Sequence, residues 1–118
     1  DALRDNIDQI NTQISHNGDD AYKLYKKAAA SDAPSQTATV VDVFGDFQGD
    51  PGSDWTACGD TAASSESVMI KKATKAGTDS WTTSAGTDAT DCYWDITKIS
   101  DQDAHDYATV GSHTFTGE

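Results

Sequence analysis

Over the first thirty residues, apolar or small side chains recur at Leu3, Ile7, Ile10, Ile14, Asn17, Ala21, Leu24 and Ala28. The steps alternate between four and three, which is the stripe of an amphipathic helix. The run His16-Asn17-Gly18-Asp19-Asp20 carries a breaker and a fresh N-cap, yet the stripe keeps its phase across it. The pattern therefore predicts one helix from about residue 2 to 30, kinked near Gly18, because an interior glycine costs only about 1 kcal/mol relative to alanine. Two shorter helices are the alternative. Either way the helix stops by Pro34, which disfavours helix in the residue before it.

Beyond Pro34 the helical period vanishes. Thr37-Ala38-Thr39-Val40-Val41-Asp42-Val43-Phe44 is dense in β-branched residues and reads as an extended segment. An Asp- and Gly-rich loop follows over 45–52. A strand is expected within 66–74, with Val68 and Ile70 on one face. A turn at 75–78 leads into 79–84, and a second turn covers 86–91. The segment from Cys92 to Ile99 is the strongest strand, and 112–116 is expected to close the sheet. Short strands between glycine-containing turns describe an antiparallel sheet. The fold class is thus α+β: a long N-terminal amphipathic helix packed on a small antiparallel β-sheet, with one disulfide. One domain spans 1–118, divided into a helix (1–31), a connecting loop (32–65) and the sheet (66–118).

Composition adds a constraint. Only 36% of the 118 residues are apolar, many of them alanine, and so thin a core needs a staple or a partner. Cys58 and Cys92 lack CxxC or paired-histidine spacing, so a disulfide is favoured over a zinc site or two free thiols. A disulfide implies an oxidising compartment: periplasm, cell surface or medium. No stretch is long and apolar enough to span a membrane. The chain opens at Asp1 directly on the helical pattern, and an export signal or anchor is expected upstream.

Twenty acidic residues against eight basic ones give a net charge of −12, which by bulk charge excludes nucleic acid as a general partner. The bases are grouped as Lys23, Lys26, Lys27 and Lys71, Lys72, Lys75. Either group could face the acidic surface of a neighbouring copy, or simply solvent. No nucleophile elbow, Walker loop or zinc-protease signature is present. His16, His105 and His113 are scattered, so no enzyme is expected. Asp46, Asp50 and Asp54 offer oxygen ligands at alternating positions, but Pro51 and Ala57 occupy the places where an EF-hand needs glycine and glutamate. A looser calcium loop there, or at 101–106, is retained as a candidate. Trp55, Trp81, Trp94, Tyr93 and Phe115 suggest a sugar-stacking surface, although some of these rings must fill the core.

With these parts in place, the chain resembles the soluble domain of a type IV pilin lacking the apolar half of its long helix. The resemblance is carried by the amphipathic helix over 3–28, the extended connection over 31–60, the strands through Ile99 and the pair Cys58/Cys92. It implies a structural subunit of an extracellular pilus filament serving adhesion, motility or surface contact, with other copies of itself as partners. The membrane would be met only through the missing N-terminal segment. Leu3, Ile7, Ile10, Ile14, Ala21, Leu24 and Ala28 would then form the packing and assembly face, and Lys23, Lys26 and Lys27 the subunit electrostatics. Related pseudopilins bind calcium. One departure is that pilins commonly place the second cysteine near the C-terminus, whereas 93–118 follows Cys92. The alternative is a secreted carbohydrate- or calcium-binding module.

Overall fold

The computed structural model describes residues 17–27, 38–99 and 112–117. In chain order these residues hold strands β1 (Tyr22–Lys26), β2 (Thr39–Phe44) and β3 (Ser67–Lys71), helix α1 (Trp81–Ala85) and strand β4 (Trp94–Lys98). β1 pairs antiparallel with β2, and β3 with β4, as two separate two-stranded sheets. In the first, Tyr22 faces Phe44, Lys23 faces Val43 and Leu24 faces Asp42. A bulge then shifts the register, so that Tyr25 faces Val40 and Lys26 faces Thr39. In the second, Ser67 faces Lys98 and Lys71 faces Trp94 without interruption.

The long N-terminal helix is not what these residues form. Within 17–27 the chain is irregular up to Ala21 and then a strand. Gly18 takes a φ of +111°, outside any helix. Tyr22-Lys23-Leu24-Tyr25-Lys26 finds a β-branched partner strand in β2, and that pairing outweighs a periodicity with no strong local propensity behind it. Leu24, a member of the expected packing stripe, is 62% exposed. Leu3, Ile7, Ile10, Ile14 and Ala28 lie outside the described residues.

The only helix among the described residues has five residues, in a segment that reads as strand or turn. Ser80 caps it by accepting a hydrogen bond from Thr83 N at 3.2 Å, a standard N-terminal signal. Gly86 ends it with φ +62°. A Cβ on Gly86 would come within 2.6 Å of the Cys92 backbone, so this turn requires glycine. The expected closing strand at 112–116 forms no strand. It is tied beside β3 instead, by Thr116 N and Gly117 N donating to Ala73 O at 2.7 and 3.2 Å.

The interior is built from rings, alanines and one cystine. Phe44 lies 5.2 Å from Trp81 and 5.8 Å from Trp94, centroid to centroid, and Trp81 lies 5.9 Å from Trp55. Tyr22 extends the row from β1 through Phe44. Ala57, Ala63 and Ala85 fill the space beside Met69, Ile96 and the tryptophans. Cys58 and Cys92 form the expected disulfide, with Cα atoms 5.1 Å apart and 34 positions between them in sequence. It joins the loop after β2 to the residues that lead into β4.

Candidate interaction face

The site that emerges is a surface. Among the described residues β1 pairs with β2 alone. Its outward side chains and those next to it are apolar and basic: Leu24 is 62% exposed, Tyr25 45% and Val41 40%, with Phe47 half exposed just past β2. The Lys23 ammonium sits 4.5 Å from the centre of the Phe47 ring, and Lys26 and Lys27 are exposed at the strand's end. Val41 is the residue left over at the bulge, where Leu24 and Tyr25 face Asp42 and Val40. A bulge of this kind twists the ribbon and aims the extra side chain outward.

The ribbon is held to the rest of the molecule through Asp42. Its carboxylate accepts from Thr78 N at 3.2 Å and pairs with the Lys71 ammonium. Lys71 lies in turn over the Trp94 and Tyr93 rings, 5.3 and 5.8 Å from their centres. Gly45, at φ +76°, lets the end of β2 pass close to Ala21 and Trp55; a Cβ there would approach each to 2.8 Å. Trp55 is buried and donates its indole N–H to Asp20 O at 3.0 Å. The same core that orders the molecule therefore positions β1.

The second lysine group is turned inward and is no part of this face. Lys72 donates to the carbonyls of Ala89 and Cys92 at 2.8 and 3.0 Å. Lys75 lies 4.8 Å from the Tyr93 ring centre. Lys98 binds the Ala62 carbonyl and pairs with Asp60 at 3.1 Å. An open groove of about 430 Å³ lies beside the disulfide, and its lining includes Asp60, Lys72, Asp95 and Lys98, two acidic and two basic groups.

The acidic residues cap turns. Asp46 Oδ1 accepts from Gln48 N at 2.9 Å, and Asp50 Oδ1 from Gly52 N at 2.8 Å, while Asp54 lies half-buried beside Gly18. The candidate calcium set is thus distributed over successive local turns. Among the described residues no three His, Cys, Asp or Glu side chains converge to hold a metal ion. In the turn at 86–91, the hydroxyl and N–H of Thr90 hold the Asp88 carboxyl below the usual carboxylate range. The Asp88 N–H and the Thr87 hydroxyl do the same for Asp91. The Ala62 N–H, with Lys98, lowers Asp60. Burial, reinforced by the nearby Asp20 charge, raises the Tyr22 hydroxyl above its ordinary value.

The tryptophans offered as a sugar platform belong to the core. Trp94 also donates its indole N–H to Ser84 Oγ at 2.9 Å, and Tyr93 is capped by Lys71 and Lys75. Phe115 is half exposed. His16 and His105 lie outside the described residues, and His113 is exposed near the end of the chain. Among the described residues, no helix is long and apolar enough to cross a membrane. Tyr25, Val41 and Phe47 were not singled out as surface groups by the sequence reading. The clue to Tyr25 was the mixing of aromatic and aliphatic residues with lysine in Tyr22-Lys23-Leu24-Tyr25-Lys26. Comparison of the chain with protein-family models, with curated proteins and with solved structures finds no significant match.

Proposed function

We propose that this chain is a non-enzymatic structural subunit of an extracellular filament of the type IV pilus kind, assembled from copies of itself. One observation carries the reading. Exposed Leu24, Tyr25 and Val41 lie beside Lys23 and Lys26 on a chain whose net charge is −12. Exposed apolar side chains with the minority charge among them suit contact with a protein partner. Burying one such aliphatic side chain at a contact contributes about 1.5–3 kcal/mol.

The use of the remaining groups supports the same reading. The tryptophans, the lysines of β3 and β4 and the turn carboxylates are engaged within the chain, where they stiffen a cystine-stapled domain. A rigid, oxidised, acidic domain with one apolar-basic strand suits a load-bearing unit outside the cell. Expression of the chain in its native cells supplies the test. Filaments sheared from the surface should yield its peptides by mass spectrometry, including the Cys58–Cys92 cross-link, and should bind antibody raised against the folded domain along their length. Recovery of the chain solely as free secreted protein, with the filaments unlabelled, refutes the proposal.

A further inference from the structure

The two halves of the cystine differ in their surroundings. Cys92 is fully buried. Cys58 is half-buried and lines the open groove beside the bridge, whose lining does not include Cys92. The Lys72 ammonium lies 3.5 Å from Cys92 Sγ, fixed by the carbonyls of Ala89 and Cys92 at 2.8 and 3.0 Å. On the other side Asp60, close to Cys58 in sequence, is paired with Lys98 at 3.1 Å. One sulfur therefore borders the groove, and the other is set beside a held positive charge. We infer that the Cys58–Cys92 bridge is a thiol-exchange site of fixed polarity, in which an incoming thiolate takes Cys58 and Cys92 leaves as a thiolate beside Lys72. The inference does not depend on the filament reading.

The reagent is a thiol reacting as its thiolate, R–S⁻. Its sulfur bonds to Cys58 Sγ, the Cys58–Cys92 bond breaks, and the electron pair passes to Cys92 Sγ. A neighbouring ammonium stabilises a thiolate, and a more stable thiolate leaves faster. A second R–S⁻ then attacks the R sulfur on Cys58, which releases R–S–S–R and a Cys58 thiolate. Both cysteines take their protons from water. Two thiols are oxidised and one disulfide is reduced. The turn that presents Cys58 has anchors besides the bridge: Cys58 N donates to Ala85 O at 2.8 Å, and Ala57 and Asp60 exchange bonds of 3.0 and 2.8 Å.

Two measurements on the oxidised chain test this. Brief exposure to β-mercaptoethanol, an acid quench and peptide mass spectrometry show where the first bond forms, and the adduct should lie mostly on Cys58. The rate of reduction by dithiothreitol, followed by alkylation of the freed thiols, reads the part played by Lys72. Lys72→Met should be reduced at least about threefold more slowly, as the loss of one charge at this distance in a solvated site implies. Lys72→Arg should stay near the wild-type rate. The sign separates this role from a structural one, because loss of the bonds to Ala89 and Cys92 alone would loosen the site and speed reduction. Near-UV circular dichroism of the tryptophan core confirms that each variant is folded, and the adduct measurement needs no variant. Adduct found equally on both cysteines or mostly on Cys92, Lys72→Met reduced as fast as wild type or faster, or Lys72→Arg as slow as Lys72→Met overturns the inference.

Discussion

Replacing both cysteines should remove a large share of this domain's stability. The bridge spans 34 positions, and the chain-entropy treatment of a loop that size gives about 4 kcal/mol of stabilisation. A domain of 118 residues has a total of about 6–18 kcal/mol at the usual per-residue stability. With an unfolding entropy of about 2.1 cal/mol/K per residue, the same loss lowers Tm by about 15 °C. Cys92 is fully buried, so lost packing adds to the entropic part.

Cys58 provides an internal control. Its φ is +56°, a conformation that disfavours a side chain by about 1–2 kcal/mol. Reciprocal hydrogen bonds between Ala57 and Asp60, at 3.0 and 2.8 Å, hold the turn in place. In a Cys92→Ala background, Cys58→Gly should therefore be more stable than Cys58→Ala by about 1 kcal/mol, since glycine takes that φ without strain. Thermal melts and urea titrations followed by tryptophan fluorescence give Tm and stability for all three chains. A Tm loss below about 3 °C for the alanine pair, or glycine less stable than alanine at position 58, would refute the reasoning.

Asp42→Ala leaves the mostly buried Lys71 without its counter-charge and should cost about 2–3 kcal/mol; Lys71→Met should cost less, and urea titration of the two variants compares them. Gly45→Ala forces a side chain into Ala21 and Trp55 at positive φ. It should lose at least about 2 kcal/mol and shift the Trp55 emission. The lowered Asp60, Asp88 and Asp91 carboxyls contribute stability above the unfolded carboxylate pKa of about 4. That contribution is lost as pH falls through their folded values, because the unfolded chain binds the protons first. Melting temperature measured from pH 6 to pH 2 should decline on the acid side, and less steeply in Asp88→Asn/Asp91→Asn; equal slopes for the two chains would count against the turn hydrogen bonds.

Much of the sheet was legible because its residues state their preference locally. Thr39-Val40-Val41 in β2, Val68 and Ile70 in β3, and Ile96 in β4 crowd a helix and suit a pleat. The cystine was legible from the shortage of large aliphatics. The N-terminal stripe misled because it counted Asn17, Ala21 and Leu24 as one face. Spacing alone does not tell whether a small residue is packed, and β1 takes its conformation from a partner strand beyond residue 38. Helix α1 was illegible for the opposite reason. Thr82 and Thr83 argue against a helix, and it exists because Ser80, Gly86 and the ring of Trp81 close that turn against the core. The contacts of these lysines were not readable at all, since the partners of Lys72 and Lys98 lie 17 to 36 positions away.

How the core is made bears on what the surface can do. Rings joined edge to face contribute about 0.5–1.5 kcal/mol per pair beyond the area they bury. Phe44–Trp94 and Trp55–Trp81 meet in this way, and tilted Phe44–Trp81 and Trp81–Trp94 contacts join the two pairs. With the cystine as a second support, few large aliphatics are required inside, and Leu24 and Val41 remain outside on the ribbon. An exposed leucine alone is ordinary. Exposed Leu24 and Tyr25 on β1 and Val41 on β2, in a chain so short of apolar residues, are not what solubility alone would select. In the proposed filament, burying them against another copy would give their position a physical reason.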